Sequence, residues 1–156
     1  MLVGLEGAEQ ARRGFTRLEK VAWEAGIEGR SRVLVQQMVT GGTEMILGAK
    51  QDPNFGPVVL AGSGGIFVEV LRDVAIKVAP VSRSDIDDML RRLKVLPILE
   101  GARGRRPRDL EALKLCIDRI ARLVVFCPEI RELDVNPLML LQKGRGALAV
   151  DARIVL

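Results

Sequence analysis

Two short stretches near the C-terminal end of the 156-residue chain carry side chains that could bind a divalent cation. Glu132, Asp134 and Asn136 occupy alternate positions, so in an extended strand they project from one face. A turn at residues 143–146 joins this stretch to a second predicted strand, which leads to Asp151. The two strands and the turn between them predict a hairpin. Carboxylate and amide oxygens on adjacent strands suit Mg²⁺, which takes one or two protein ligands and leaves its other positions to water and phosphate. The alternative is that these are ordinary polar residues at strand ends and turns.

A glycine-rich run is the second candidate site. Gly62, Gly64 and Gly65 would allow the backbone to approach a phosphate group closely. The run is followed by β-branched residues and not by a helix, so it lacks the helix N-terminus that a phosphate loop uses. A tight turn or bulge between two strands is the alternative interpretation.

Composition restricts the classes of protein to which the chain can belong. It is 48% hydrophobic and 28% charged, which is typical of a folded globular domain. It contains no histidine, which removes the commonest general base and excludes a phosphohistidine relay within this chain. Two cysteines without paired spacing favour a reducing compartment. With no secretory signal or membrane span predicted, we expect a cytoplasmic protein.

A net charge of +4 and a loop containing Arg103, Arg105, Arg106 and Arg108 raise the question of nucleic-acid binding. Four phenylalanines and one tryptophan offer little base stacking, so the sequence argues against that function. The loop is interpreted as solvated and basic, and a nucleic-acid binder using these arginines is kept as the least favoured hypothesis.

Hydrophobic periodicity predicts an α+β domain, with a mostly antiparallel or mixed sheet and helices packed on one side of it. An amphipathic helix is predicted over residues 8–25, and a hairpin over 32–49. A strand at 58–61 and a tight hairpin made by 66–71 and 74–79 follow.

Two helices separate these strands from the C-terminal hairpin. Ser84 is predicted to cap a helix from about Asp85, and Asp109 to start a long helix that Pro128 ends. We interpret the chain as a single domain that comprises a helical lead-in at 1–30, strands at 31–80, helices at 84–127 and a metal-site hairpin at 130–156.

Four runs, taken in order and spacing, resemble a known family. The runs are residues 33–48, residues 52–69, residues 99–104, and residues 132–138 together with 151–154. They look like the C-terminal part of the ATP-grasp domain of NDP-forming acyl-CoA synthetases, a group that includes ADP-forming acetyl-CoA synthetase and is related to the succinyl-CoA synthetase β subunit.

The resemblance implies a reaction and a set of ligands. Such enzymes interconvert acid, CoA and ATP with acyl-CoA, ADP and phosphate. Asn136 and Asp151 match the family's magnesium positions, with Asp134 beside them as a weaker candidate. ATP or ADP would be the nucleotide, and three positions match those around its adenine and ribose: Gln36, Val39 and Glu44. The family often has glutamate where this chain has Gln36.

The resemblance also implies that parts of the enzyme are missing. The first ATP-grasp subdomain and the CoA-binding and phosphohistidine domains would lie upstream or on another chain, so the chain alone is expected to be inactive. An alternative is a non-catalytic binding or assembly module that kept the fold. An incomplete domain should expose an apolar face, so we expect self-association, with Leu2, Val3 and Leu5 as participants.

Overall fold

The computed structural model describes residues 1–27, 32–65 and 72–156, apart from the side chain of Arg103. By its internal contacts the chain divides into two compact units, Met1–Thr40 and Gly41–Leu156. The interpretation of the whole chain as one domain stays a prediction.

The first unit contains a single described helix, α1 (Gly7–Glu24), close to the predicted bounds. Gly26 follows it with a φ of 71°, a conformation that glycine adopts at helix ends without strain. Leu2 and Leu5 fold back over Gly14, where an added Cβ would lie 3.3 and 3.0 Å from their Cδ1 atoms. Two of the residues expected to mediate self-association therefore pack on α1.

The predicted hairpin over 32–49 is wrong in its first half. Residues 32–40 are all described and form no strand, whereas the second half forms β1 (Thr43–Asp52). The reason is that both edges of β1 are occupied, one by β2 (Gly56–Ser63) and the other by β4 (Glu132–Leu140). An apolar run beside β1 in sequence has no free edge of that strand with which to pair.

The described residues form six strands in one sheet, and every described pairing is antiparallel. The strand order is β3 (Val74–Val78), β2, β1, β4, and beyond β4 both β5 (Ala147–Ala149) and β6 (Ala152–Val155). The sequence predicted β3 and β5 but not β6. The other half of the predicted hairpin with β3, residues 66–71, lies outside the described residues.

Three α-helices and a short 3₁₀-helix (Ala102–Gly104) are described in the second unit. The α-helices are α2 (Arg83–Arg92), α3 (Leu96–Leu99) and α4 (Leu110–Phe126). None of the helices in the described part of the chain combines the length and apolarity that crossing a membrane requires.

A hydrophobic core lies between α2, α4 and one face of the sheet, as the α+β prediction required. Alternate residues of β1 point into it, including Met45 and Leu47, which are almost fully buried. Ile117 and Val124 of α4 cover them from the helical layer. The opposite, open face carries the intervening residues. Glu44 and Lys50 of β1 and Asp134 of β4 are polar there, whereas β3 presents the exposed apolar side chains Val74 and Ile76.

Helix α4 starts and ends as predicted. The carboxylate of Asp109 accepts a hydrogen bond from the backbone N–H of Ala112 at 3.1 Å, and the helix ends at Phe126, two residues before Pro128. Cys116 of α4 is half-buried against the hydrophobic core, and both cysteines are free thiols.

The start of α2 corrects the sequence prediction. Ser82, and not Ser84, is the N-cap: its hydroxyl accepts from the N–H of Asp85 at 3.1 Å, and the Asp85 carboxylate accepts from the N–H of Ser82 at 3.0 Å. The hydrogen bonds from the hydroxyl and N–H of Ser82, with the Lys77 ammonium 2.9 Å away, hold the pKa of Asp85 far below its usual value. Both serines have an aspartate three residues further on, Asp85 after Ser82 and Asp87 after Ser84, so the spacing alone does not distinguish them. In the structure Asp87 forms an ion pair with Lys114 at 2.8 Å instead.

Removing the cap should destabilise the domain measurably. We expect Ser82→Ala to lower the free energy of unfolding by about 1 kcal/mol, because the first turn of α2 loses a hydrogen-bond acceptor. Ser84→Ala is the matched control, since Ser84 is exposed inside the same helix and should change stability by less than about 0.5 kcal/mol. Urea denaturation of both variants checks this, and an equal loss in both would contradict the assignment of the cap.

Candidate functional site

The C-terminal hairpin places Asn136 directly opposite Asp151. Strands β5 and β6 pair with β4 in one and the same register, and residues 150 and 151 separate them. Continuing that register across the two residues aligns Asp151 with Asn136. The backbone N–H of Asn136 donates to the carbonyl oxygen of Asp151 at 3.1 Å. Both residues are exposed, and residues directly opposite in an antiparallel pair project from the same face. The predicted hairpin is confirmed, and neither residue is buried among apolar neighbours.

A local irregularity keeps the polar residues of β4 on the open face. Leu133 and Val135 point into the core before Asn136, and Leu138 and Leu140 do so after it. The change of phase coincides with a register shift between β1 and β4. Asn136 therefore lies at the irregularity in β4, on the side of the strand that faces away from the apolar core.

Asp134 also lies on the open face, but with a different neighbour. It pairs with Arg153 of β6, and the Arg153 guanidinium forms an ion pair with Glu132 at 3.0 Å. The positive charge of Arg153 would repel a metal ion at this part of the face. The assignment of Asp134 as a weaker ligand stays a prediction.

The donor set suits Mg²⁺ better than a transition metal. Within the described residues there is no group of three or more His, Cys, Asp or Glu side chains that could hold a metal ion. Asn136 and Asp151 supply one amide and one carboxylate, which is sufficient for Mg²⁺ because it keeps several waters and binds substrate phosphates. The assignment of these residues as ligands stays a prediction.

Asp109 fixes the turn that carries this hairpin. Besides capping α4, its carboxylate accepts from the N–H of Gly146 at 2.9 Å, and its own N–H donates to the carbonyl of Leu141 at 3.0 Å. The N–H groups of Gly146 and Ala112 lower the pKa of Asp109. Sequence reasoning identified only the helix start, because the turn lies 37 residues away and no local pattern connects the two.

The three residues predicted to surround the nucleotide are divided between the two units. Glu44 is exposed on the open face at the start of β1. Gln36 and Val39 lie in the first unit, Gln36 exposed and Val39 half-buried. Their assignment to the adenine and ribose stays a prediction.

The glycine run has a structural explanation in close packing. A Cβ on Gly62 would lie 2.7 Å from Val74 Cγ1, and one on Gly64 would lie 2.8 Å from the backbone of Glu44. The N–H of Gly64 donates to the carbonyl of Glu44 at 2.8 Å, and Gly65 has a φ of 67°. These glycines let β2 approach its neighbours. The register of β2 with β1 and β3 is uninterrupted at Gly62, so no bulge lies there, and a turn is described at Gly65. The phosphate-loop assignment stays a prediction.

A cavity of about 930 Å³ opens at this end of β1 and β2. It is lined by Glu44, Ser63, Gly64, Gly65, Asp73, Lys94, Val95, Arg105 and Arg108, among others. Asp73 is buried, and its two oxygens accept from the backbone N–H groups of Lys94 and Val95 at 2.7 and 2.9 Å. Sequence reasoning missed Ser63, Asp73 and Lys94, which come from three separated segments.

Comparison with known proteins decides the family. A model of the ATP-grasp domain matches residues 1–156. The chain belongs to the ATP-grasp domain family. The resemblance inferred from the four runs is thereby confirmed, and the six-stranded antiparallel sheet with helices on one face agrees with the fold of ATP-grasp neighbours.

Among the relatives of this ATP-grasp chain are ADP-forming ligases. It is 48% identical over 122 residues to 4-hydroxybutyrate–CoA ligase (ADP-forming) of Nitrosopumilus maritimus, covering 78% of this chain and 18% of the relative. It is 40% identical to the β subunit of acetate–CoA ligase (ADP-forming) I of Pyrococcus furiosus, covering 99% of this chain and 66% of the relative. The chain thus spans about a fifth of the first relative and about two thirds of the second.

A solved structure is also similar to this chain. Acetyl-coenzyme A synthetase 1 of Ca. Korarchaeum cryptofilum, in complex with coenzyme A and Mg-AMPPCP, superposes with a TM-score of 0.87 at 38% identity. The match covers 99% of this ATP-grasp chain and 67% of that one.

Close packing at Gly64 predicts that a methyl group there is not tolerated. We expect Gly64→Ala to lower the free energy of unfolding by about 1–3 kcal/mol, because the added Cβ would overlap the backbone of Glu44. Gly48→Ala on β1 is the matched control, since its Cβ would lie 3.6 Å from the nearest atom. Thermal and urea unfolding check this, and similar stability of the two variants would show that β2 does not need the close approach.

Proposed function

We propose that the chain is the part of an ADP-forming acyl-CoA synthetase that binds Mg²⁺ and nucleotide. The observation that carries the proposal is the pairing of Asn136 with Asp151 on the open face of the sheet. The confirmed family supports it, because relatives are named ADP-forming CoA ligases and a structural neighbour was solved with Mg-AMPPCP.

In this proposal the protein supplies position and charge. The Asn136 amide and the Asp151 carboxylate would hold Mg²⁺, which when bound spreads the negative charge of phosphate oxygens. Glu44 lies on the same open face, at the start of β1, where it could accept hydrogen bonds from hydroxyl groups of the nucleotide. The hydrogen bond from the Gly146 N–H to the Asp109 carboxylate would hold the turn of the hairpin, and so keep Asn136 opposite Asp151, during binding.

The complete reaction would need further domains. We propose that the remaining ATP-grasp subdomain, the CoA-binding domain and a phosphohistidine domain act with this chain. The name of the Pyrococcus furiosus relative as a β subunit, of which this chain covers 66%, supports a partner of this kind. The chain itself carries no histidine, so a phosphohistidine would come from such a partner.

Metal-dependent nucleotide binding tests the proposal directly. We expect Asp151→Asn to weaken Mg-ADP binding by about tenfold or more in a calorimetric titration. The reason is that Asp151 supplies the only carboxylate of the predicted Asn136–Asp151 ligand pair. Binding of ADP without Mg²⁺ should be unchanged. Enhancement of water relaxation by Mn²⁺ in place of Mg²⁺ provides a second readout that reports the ion itself.

Glu132→Gln is the matched control for this titration. Glu132 lies on the same strand as Asn136, yet it is engaged by Arg153, and the family resemblance assigns it no metal role. If Asp151→Asn and wild type bind Mn²⁺ and Mg-ADP equally, the metal assignment is wrong. If the wild type binds neither, while a mixture with the remaining domains shows no ligase activity, the non-catalytic assembly module becomes the better description.

A further inference from the structure

Strand β6 forms an edge of the sheet, and all four of its residues are exposed. It pairs with β4 on one side. On its other side, the described part of the chain supplies no strand. A strand at the edge of a sheet presents a row of backbone N–H and C=O groups that another strand can pair with. The free edge of β6 is therefore a candidate interaction surface.

The hydrogen bonds to β4 show which backbone groups point outward at this edge. The carbonyl of Asp151 accepts from an N–H of β4, and the carbonyl of Val155 accepts from the N–H of Arg131. Successive residues of a strand direct their backbone groups to opposite sides in the plane of the sheet, so Asp151, Val155 and the residue midway between them face β4. The N–H and C=O groups of Ala152 and Ile154 therefore point away from β4, along the free edge.

Strand β6 lacks most of the features that protect an edge strand from pairing. Natural edges are protected by proline, by bulges or by charged side chains, as well as by a short length. β6 contains no proline and keeps an unbroken register with β4. Its one charged residue, Arg153, is held by an ion pair with Glu132 of the same chain. The short length of β6 is the protection that remains, and it predicts weak pairing rather than no pairing.

Ile154 offers an apolar contact on the helical side of this edge. It lies opposite Leu133, which is buried in the core, yet Ile154 itself is 53% exposed. Residues directly opposite in an antiparallel pair share a face, so Ile154 projects on the side of the sheet that carries the helices, at its margin. A further strand with an apolar residue at the matching position would cover this side chain.

Two copies of β6 are complementary when they pair in antiparallel register about a two-fold axis at Ile154. The Ile154 side chains of the two copies then lie opposite each other. Arg153 lies opposite Val155 of the second copy, and Ala152 lies opposite its Leu156. An axis at Arg153 would instead place two like charges directly opposite, which destabilises a strand pair. The Ile154 register forms about six backbone hydrogen bonds, and so small a contact predicts a weak, concentration-dependent dimer.

We propose that β6 pairs edge to edge with β6 of a second copy of this chain, so that the sheet of one copy continues into the sheet of the other. The pairing lies in the plane of the sheet and leaves the open face uncovered. The proposal therefore goes beyond the metal site and does not depend on it. It also concerns a different surface from the N-terminal residues that the sequence analysis expected to mediate self-association.

Sedimentation equilibrium of the full chain over a range of concentrations tests the pairing. We expect Ile154→Pro to raise the dimer dissociation constant at least about tenfold, because it removes an N–H that points to the second copy and not to β4. Ile154→Lys keeps every backbone group and should also weaken the dimer. Val78→Lys is its matched control, since Val78 is 50% exposed on the opposite outer strand, β3. Equal weakening by both lysine variants would reduce the effect to added charge and overturn the proposal.

Amide hydrogen exchange identifies the surface directly. The N–H groups of Ala152 and Ile154 should exchange fast in dilute solution and become protected as the concentration rises, because each then donates to the second copy. Those of Arg153 and Val155 face β4 within the chain and should show no such dependence. A dimer in which Ala152 and Ile154 stay unprotected would assign self-association to another surface and overturn the proposal. A wild-type chain that stays monomeric at about 1 mM would overturn it equally.

Discussion

The arrangement of the second unit depends on the pairing of β1 along both of its edges. Backbone hydrogen bonds join it to β2 from Met45 to Asp52 and to β4 from Thr43 to Lys50. The same strand therefore fixes the register of the glycine-rich end of β2 and of the hairpin that carries Asn136. Its alternate side chains, Met45 and Leu47, anchor it to the helical layer, so the sheet cannot shift without breaking the core.

Helices and strands with a clear hydrophobic periodicity could be predicted from their own sequence. Segments whose structure depends on whether a neighbouring strand has a free edge could not. The apolar spacing of α1 and α4 and the alternation in β4 specify their structures almost within their own segments. Residues 32–39 have an apolar composition suited to a strand, but β1 has no edge left for them. The N-cap of α2 was assigned two residues late because only the reciprocal bond between Ser82 and Asp85 distinguishes the two serines.

The same division applies to the candidate sites. Asn136 and Asp151 lie in one hairpin, so an alternating strand and a short turn were sufficient to predict that they meet. The cavity draws its lining from positions between Gly42 and Arg108, and the bond from Arg108 to Thr43 spans 65 residues. No local sequence pattern predicts such contacts, because they form only when the sheet and the loop after α3 come together in the folded chain.

The shared register of β5 and β6 makes the length of the turn at residues 143–146 more important than its composition. A displacement of the last strand by one residue along β4 would send the carboxylate of Asp151 towards the leucines of the core. A displacement by two residues would keep the face but could bring the guanidinium of Arg153 opposite Asn136. Insertions or deletions in this turn could thus exchange an acidic partner of Asn136 for a basic one in a chain that still folds, converting the proposed cation-binding hairpin into one that repels cations.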